Sequence, residues 1–294
     1  MAVAVARPRP VPILAVAVVA AGAWLYAPAL SQMVRAWATD DHASHGFLVA
    51  PIAAYLVWTR WERIVAAYRG GAAAAGMACA AAALLMYLAG RWMEVNFLAP
   101  LSLVLMIGAQ MLYFGGWGVA REVGFPYAFL FFMVPWPDLL VEFISFPMQL
   151  LSAKYATMIT GLLGIPVSRS GVDIHLANYS FTVAVPCSGM KALVALMALA
   201  ALIAYVARGP MWRRVVLFAL GVPVALAANV ARVTLILVIA TLAGARAAEG
   251  FFHGASGMLV FVFALAGMIL VARALGLRGI AGGSDRGAPD ASGG

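Results

Sequence analysis

In the stretch "VAVPCSGMKALVALMALAAL", Val183–Leu202, a cysteine stands at the threshold of an apolar helix. A thiol at a helix N-terminus meets the positive end of the helix dipole, and a nearby Arg or His further favours the thiolate, its nucleophilic form. Pro186 suits a helix entrance, and Gly189, just after Ser188, lets backbone N–H groups approach a reacting carbonyl. Cys187 is therefore the candidate nucleophile, with Ser188 and Gly189 supporting it. Arg232 lies inside another apolar run, "PVALAANVARVTLILVIATLAG", where a charge at the helix centre costs ~2.5–3.5 kcal/mol on insertion scales. Asn229 is one turn earlier on the same face. Two readings stand for Arg232: it pins a neighbouring helix or snorkels outward, or it serves a site. His253 opens a further apolar run. Together the three outline a cysteine acyl-transfer site. Cys187 attacks a carbonyl, His253 deprotonates the thiol or protonates the leaving amine, and Arg232 holds the developing oxyanion.

A second group, "DDHASHGFLVAP" at 40–51, offers Asp41 and His45, four apart and expected to share a helix face at the border of the site. Its ordinary alternative is a helix cap with interfacial polar residues. Metal chemistry is not expected, because Cys187 and the four histidines show no ligand spacing such as C-x-x-C or H-E-x-x-H. No cofactor is expected either. A rhomboid-type serine site is suggested by "GASG" at 254–257, but every histidine precedes Ser256, so a later base is missing. The alternative from another class is a polytopic transporter or scaffold in exopolysaccharide export, with Arg232 binding an anionic substrate and Cys187 merely packing.

These residues need elements to carry them, and composition says which. The 294 residues are 65% hydrophobic and 10% charged, with a mean hydropathy of +0.98, far more apolar than one soluble core can hide. The fold class is an all-α polytopic membrane protein of about eight transmembrane helices. The runs are Val11–Leu30, the one opened by His45–Gly46, Ala72–Gly90, Val95–Phe114, Gly124–Val134 with its continuation, Met190–Ala207, Val215–Ala243 and Gly257–Val271. The formal charge of +8 is scattered singly between them, which excludes nucleic acid as a partner and favours membrane lipid. Cys79, inside an alanine-rich run, reads as a small packing residue.

With both termini cytoplasmic, 12 of the 19 Lys and Arg fall on the inner side, as the charge bias of cytoplasmic loops requires. That orientation puts Cys187, Arg232 and His253 toward the extracytoplasmic face of a bacterial inner membrane. The long outer stretch Trp136–Val185 is expected to hold a short interfacial helix, Phe146–Gly164, starting at Pro147. Two strands paired as a β-hairpin are expected over 166–185, with Gly171 and Ala177–Asn178 as turn candidates. Residues 1–278 read as one integral membrane domain and 279–294 as a disordered cytoplasmic tail.

The ordered set "PCSGMKAL" at 186–193, "NVAR" at 229–232 and "FHGASG" at 252–257 resembles the exosortase/archaeosortase family of membrane cysteine transpeptidases. "SHGFLVAP" at 44–51 and "LLGIPVSRSGVDIHL" at 162–176 resemble the exosortase branch in particular. The resemblance covers the chain from about Asp40 to Val271. It implies that Cys187 is the nucleophile, Arg232 the essential arginine and His253 the histidine. It also implies that the substrates are exported proteins with a C-terminal sorting tail: a Pro-Glu-Pro-like signature, a transmembrane helix and a basic cluster. The cut product would pass to a surface acceptor, in a setting of exopolysaccharide production.

Overall fold

Apolar segments in lipid satisfy their backbone groups internally, and the computed structural model is accordingly mostly helical; it describes residues 13–39, 43–177, 179–183, 190–254 and 256–278. The chain forms two compact units, 1–137 and 138–294.

The first unit holds α1 (Ile13–Leu25), α2 (Ala27–Thr39), α3 (Gly46–Trp58), α4 (Trp61–Ala67), α5 (Ala73–Trp92), α6 (Leu98–Glu122) and α7 (Gly124–Phe129), which runs into a 3-10 turn at Leu130–Met133. α6 bends at Gly116, where φ is +72° and a Cβ would sit 2.1 Å from the Gly70 carbonyl oxygen. Only glycine fills that position. Two long-range bonds reach the Leu130–Met133 turn, one from α2 and one from the start of α3. Trp37 of α2 donates its indole N–H to the Met133 carbonyl at 2.9 Å, and His45 Nε2 lies 2.9 Å from the Phe132 carbonyl. Since a carbonyl only accepts, Nε2 carries the proton.

The second unit holds α8 (Asp138–Leu162), β1 (Val167–Ser170), β2 (Asp173–Leu176), β3 (Ser180–Thr182), α9 (Met190–Val206), α10 (Met211–Ala243), α11 (Ala245–Gly254) and α12 (Ser256–Ala274). α10 is its axis and touches α8, α9, α11 and α12. At 33 residues it is about 50 Å long. Small residues face inward along these helices, such as Ala225, Ala228 and Ala264, and large ones face outward, such as Leu242 and Met258. That inversion is what a lipid solvent permits, because outward apolar surface costs nothing there.

Among the described residues, four helices are long and apolar enough to cross a membrane: Ala73–Trp92, Leu98–Glu122, Met211–Ala243 and Gly257–Ala274. A fifth span arises if α1 and α2, bent by 57° at their junction, count as one. The chain is thus a multi-pass membrane protein. The other three expected spans are helical but short: Gly46–Trp58, Gly124–Met133 and Leu193–Val206. Thirteen residues of α3 rise about 20 Å, less than the ~30 Å hydrocarbon core, whereas the 17 residues of α9 from Met190 to Val206 rise about 26 Å.

Three local expectations change. The helix expected to start at Pro147 starts at Asp138, runs 25 residues and keeps Pro147 inside. One proline removes a single backbone donor, which this helix accommodates. The expected hairpin is a three-stranded antiparallel sheet of order β1-β2-β3. Both turn candidates reverse the chain, at Gly171 with φ of +62° and between β2 and β3. Cys79 is exposed on α5, not packed inside.

A Cβ on Gly46 would lie 2.2–2.5 Å from three atoms of the Trp37 ring. Gly46→Ala is expected to lower stability by about 1–3 kcal/mol, read as a fall in detergent melting temperature. Gly124→Ala, with nothing within 4 Å of its Cβ, should leave it unchanged.

Candidate functional site

Helix spacing puts Ala225, Ala228, Asn229, Arg232, Val233, Ile236, Leu237 and Ala240 along the buried side of α10. The apolar members belong to two separate cores. Ala225 and Ala228 pack with Met148 of α8, Leu193 and Leu196 of α9, and Val260 and Ala264 of α12. Val233, Ile236, Leu237 and Ala240 pack with Ala153 and Ala156 of α8, Ile174 and Phe181 of the sheet, Val183, and Ala248 of α11. Asn229 and Arg232 occupy the seam between the two cores.

The seam is polar on α8 as well. Asn229 Nδ2 donates to Ser152 Oγ at 2.9 Å, and both residues are fully buried. Gln149, one turn earlier on α8, is also buried. Arg232 is 9% exposed and, among the described residues, the one buried charged side chain. A guanidinium and an amide on one face of a helix, in a low-dielectric seam, form a donor set suited to an oxyanion or carboxylate.

Two chain segments join the same two cores. The chain leaves the sheet-side core at Val183 and enters the other at Leu193. It leaves the sheet-side core again at Ala248 and enters the other at Val260. Cys187 belongs to the first interval and His253 to the second. Cys187, Ser188 and Gly189 lie outside the described residues, in sequence one to three residues before α9 begins at Met190. His253 is the penultimate residue of α11.

Asn229 and Arg232 are brought together as the spacing requires. The second group is not helical throughout: His45 is the N-cap of α3 and bonds the Phe132 carbonyl, while Asp41 lies outside the described residues. The residue that sequence reasoning missed is Ser152. Its signal was the spacing of Ser145, Gln149, Ser152, Ala156 and Thr160, all buried on α8. That stripe is polar and small where a soluble amphipathic helix would be large and apolar.

The bond between Asn229 and Ser152 yields a double-mutant test. Ser152→Ala and Asn229→Ala are expected to be non-additive in unfolding titrations, with a coupling of about 0.5–1.5 kcal/mol.

The family model for transmembrane exosortases matches residues 37–270, more than three quarters of the chain. No curated protein and no solved structure matches.

Proposed function

Because the chain belongs to the transmembrane exosortase family, we propose that it is a membrane cysteine peptidase or transpeptidase that removes a C-terminal sorting tail from exported proteins. Cys187 is the nucleophile, Arg232 the oxyanion donor and His253 the proton carrier. The observation that carries this reading is the seam: α10 sets Asn229 and Arg232 between two cores that are also the anchors of both segments bearing Cys187 and His253. Cys187 follows Val183 by four positions, a reach of at most about 14 Å. Val183 in turn shares its core with Val233, the neighbour of Arg232.

In the first step the Cys187 thiolate adds to the scissile carbonyl, and the oxygen takes up negative charge opposite the Arg232 guanidinium. Collapse breaks the C–N bond, and His253 protonates the departing amine of the tail. A thioester remains. An acceptor nucleophile, or water, then adds to the thioester and releases the thiolate. Ser188 and Gly189 would line the carbonyl's approach, and Asn229, held by Ser152, would keep its face of α10 in register. The site faces the extracytoplasmic side of the inner membrane, where a tail with a basic end retained in the cytoplasm would present its signature.

The test is processing of an exported reporter bearing a Pro-Glu-Pro-like signature, a transmembrane helix and a basic cluster. Cys187→Ala is expected to abolish shortening while Cys79→Ala, on the exposed side of α5, leaves it intact. Normal shortening with Cys187→Ala would overturn the enzyme reading and favour a transporter or scaffold. Arg232→Lys keeps the charge but loses the planar fork, and is expected to slow processing by roughly 100-fold. A rate within about twofold of the parent would remove Arg232 from the oxyanion role.

A further inference from the structure

The sheet has two edges, and the sequence treats them differently. β1 is entered through Pro166 and carries Arg169, two devices that discourage strand pairing. β3, Ser-Phe-Thr, carries neither. Its register shows which backbone groups its outer edge presents. The Leu176 N–H bonds the Tyr179 carbonyl and the Val183 N–H bonds the Val172 carbonyl, on either side of the Ile174–Phe181 pair. Antiparallel alternation makes Ile174–Phe181 a bonded pair too and turns the N–H and C=O of Ser180 and Thr182 away from β2. Ser180 and Thr182 are exposed, and no backbone bond from either to a further strand occurs among the described residues. The strand is nevertheless firmly backed. Phe181 and Val183 are buried in the sheet-side core, and the Thr182 hydroxyl donates to Asp173 Oδ1 at 2.7 Å.

We propose that the free edge of β3 is the docking site for the substrate polypeptide, which adds to the sheet as a fourth strand through the backbone groups of Ser180 and Thr182. The inference rests on the cysteine peptidase reading, since what commits the edge to this occupant is continuity: β3 ends five residues before Cys187. Strand addition supplies main-chain hydrogen bonds whatever the sequence, and an extended peptide is the conformation in which a scissile bond is most open to attack. Alternation also specifies the occupant. Side chains of the added strand would fall in turn on the polar face of Asp173, His175, Ser180 and Thr182 and on the apolar face of Phe181, so the substrate segment carries an apolar residue at every second position there.

Proline tests the edge directly, because it removes an outward N–H without touching the β2 ladder. Thr182→Pro is expected to slow reporter processing roughly tenfold at limiting reporter, while Arg169→Pro, on the opposite edge, leaves it near the parent rate. Unchanged processing in Thr182→Pro overturns the docking site and leaves the Cys187 reading standing. Failure of Cys187→Ala to abolish processing would instead remove the reading beneath it.

A second measurement does not depend on turnover or on the proline variant folding. Ser180→Cys and Thr182→Cys, each in a Cys79→Ala, Cys187→Ala background, are oxidised with copper–phenanthroline against single cysteines placed along the reporter's signature segment. Disulfides at alternate reporter positions are the expected result. Disulfides at every position, at none, or between two copies of this chain overturn it.

Discussion

The packing of α10 on α8 turns on one buried polar contact, the bond from Asn229 to Ser152. In lipid, an amide facing hydrocarbon has no water to turn to, so the pair fixes both the rotation and the height of one helix against the other. With that height fixed, the apolar residues sort into a core on each side: Met148 with Ala225 and Ala228, and Ala153 and Ala156 with Val233 to Ala240. A slip of one residue would set the Asn229 amide against alkyl groups. The polar seam is thus a register device before it is anything else.

Register is what the proposed site, with its residues drawn from separate segments, would require. Arg232 lies one turn from Asn229, so fixing one fixes the other. The cost of burying a guanidinium is tolerable in a seam that already concentrates Asn229, Ser152 and Gln149, and would be far greater within either apolar core. The small side chains along α8 and α10 serve the same end, because alanine-rich faces let the helices approach closely enough for the short Ser152 side chain to meet the amide.

Much of this was legible in the sequence. Every expected apolar run became helix, Asn229 and Arg232 share a face because i and i+3 must, and the order of the three motifs led to the family that the chain belongs to. What composition could not give was helix length in space. "SHGFLVAP" and "GFPYAFLFFMVPWP" are as apolar as true spans, but Thr59–Arg60 and the prolines at 135 and 137 end them early. Ser152 stayed hidden for a different reason. Its partner is 77 residues away, and nothing local distinguishes a serine that meets an amide from one that bonds its own backbone. The third strand was missed because alternation identifies strands singly, whereas pairing depends on which turns close.

The sheet also bears on how α10 sits along the bilayer normal. Strand edges are not tolerated against lipid, so the end of α10 that packs on Ile174, Phe181 and Val183 is the end that leaves the hydrocarbon. α10 is about 50 Å long against a core of about 30 Å, so about 20 Å of it must emerge or tilt. Arg232 stands eleven residues, about 17 Å, from that end. With the whole excess at this end, the emerging part begins near Val230, about 13 residues back, and Arg232 falls just outside the hydrocarbon boundary. A charge there is within reach of solvent for its hydration yet buried enough for its field to act at short range. On the reading proposed above, a polypeptide drawn to a membrane surface would meet the same boundary, the depth at which the buried guanidinium of α10 and an extended chain on the sheet would address a single bond.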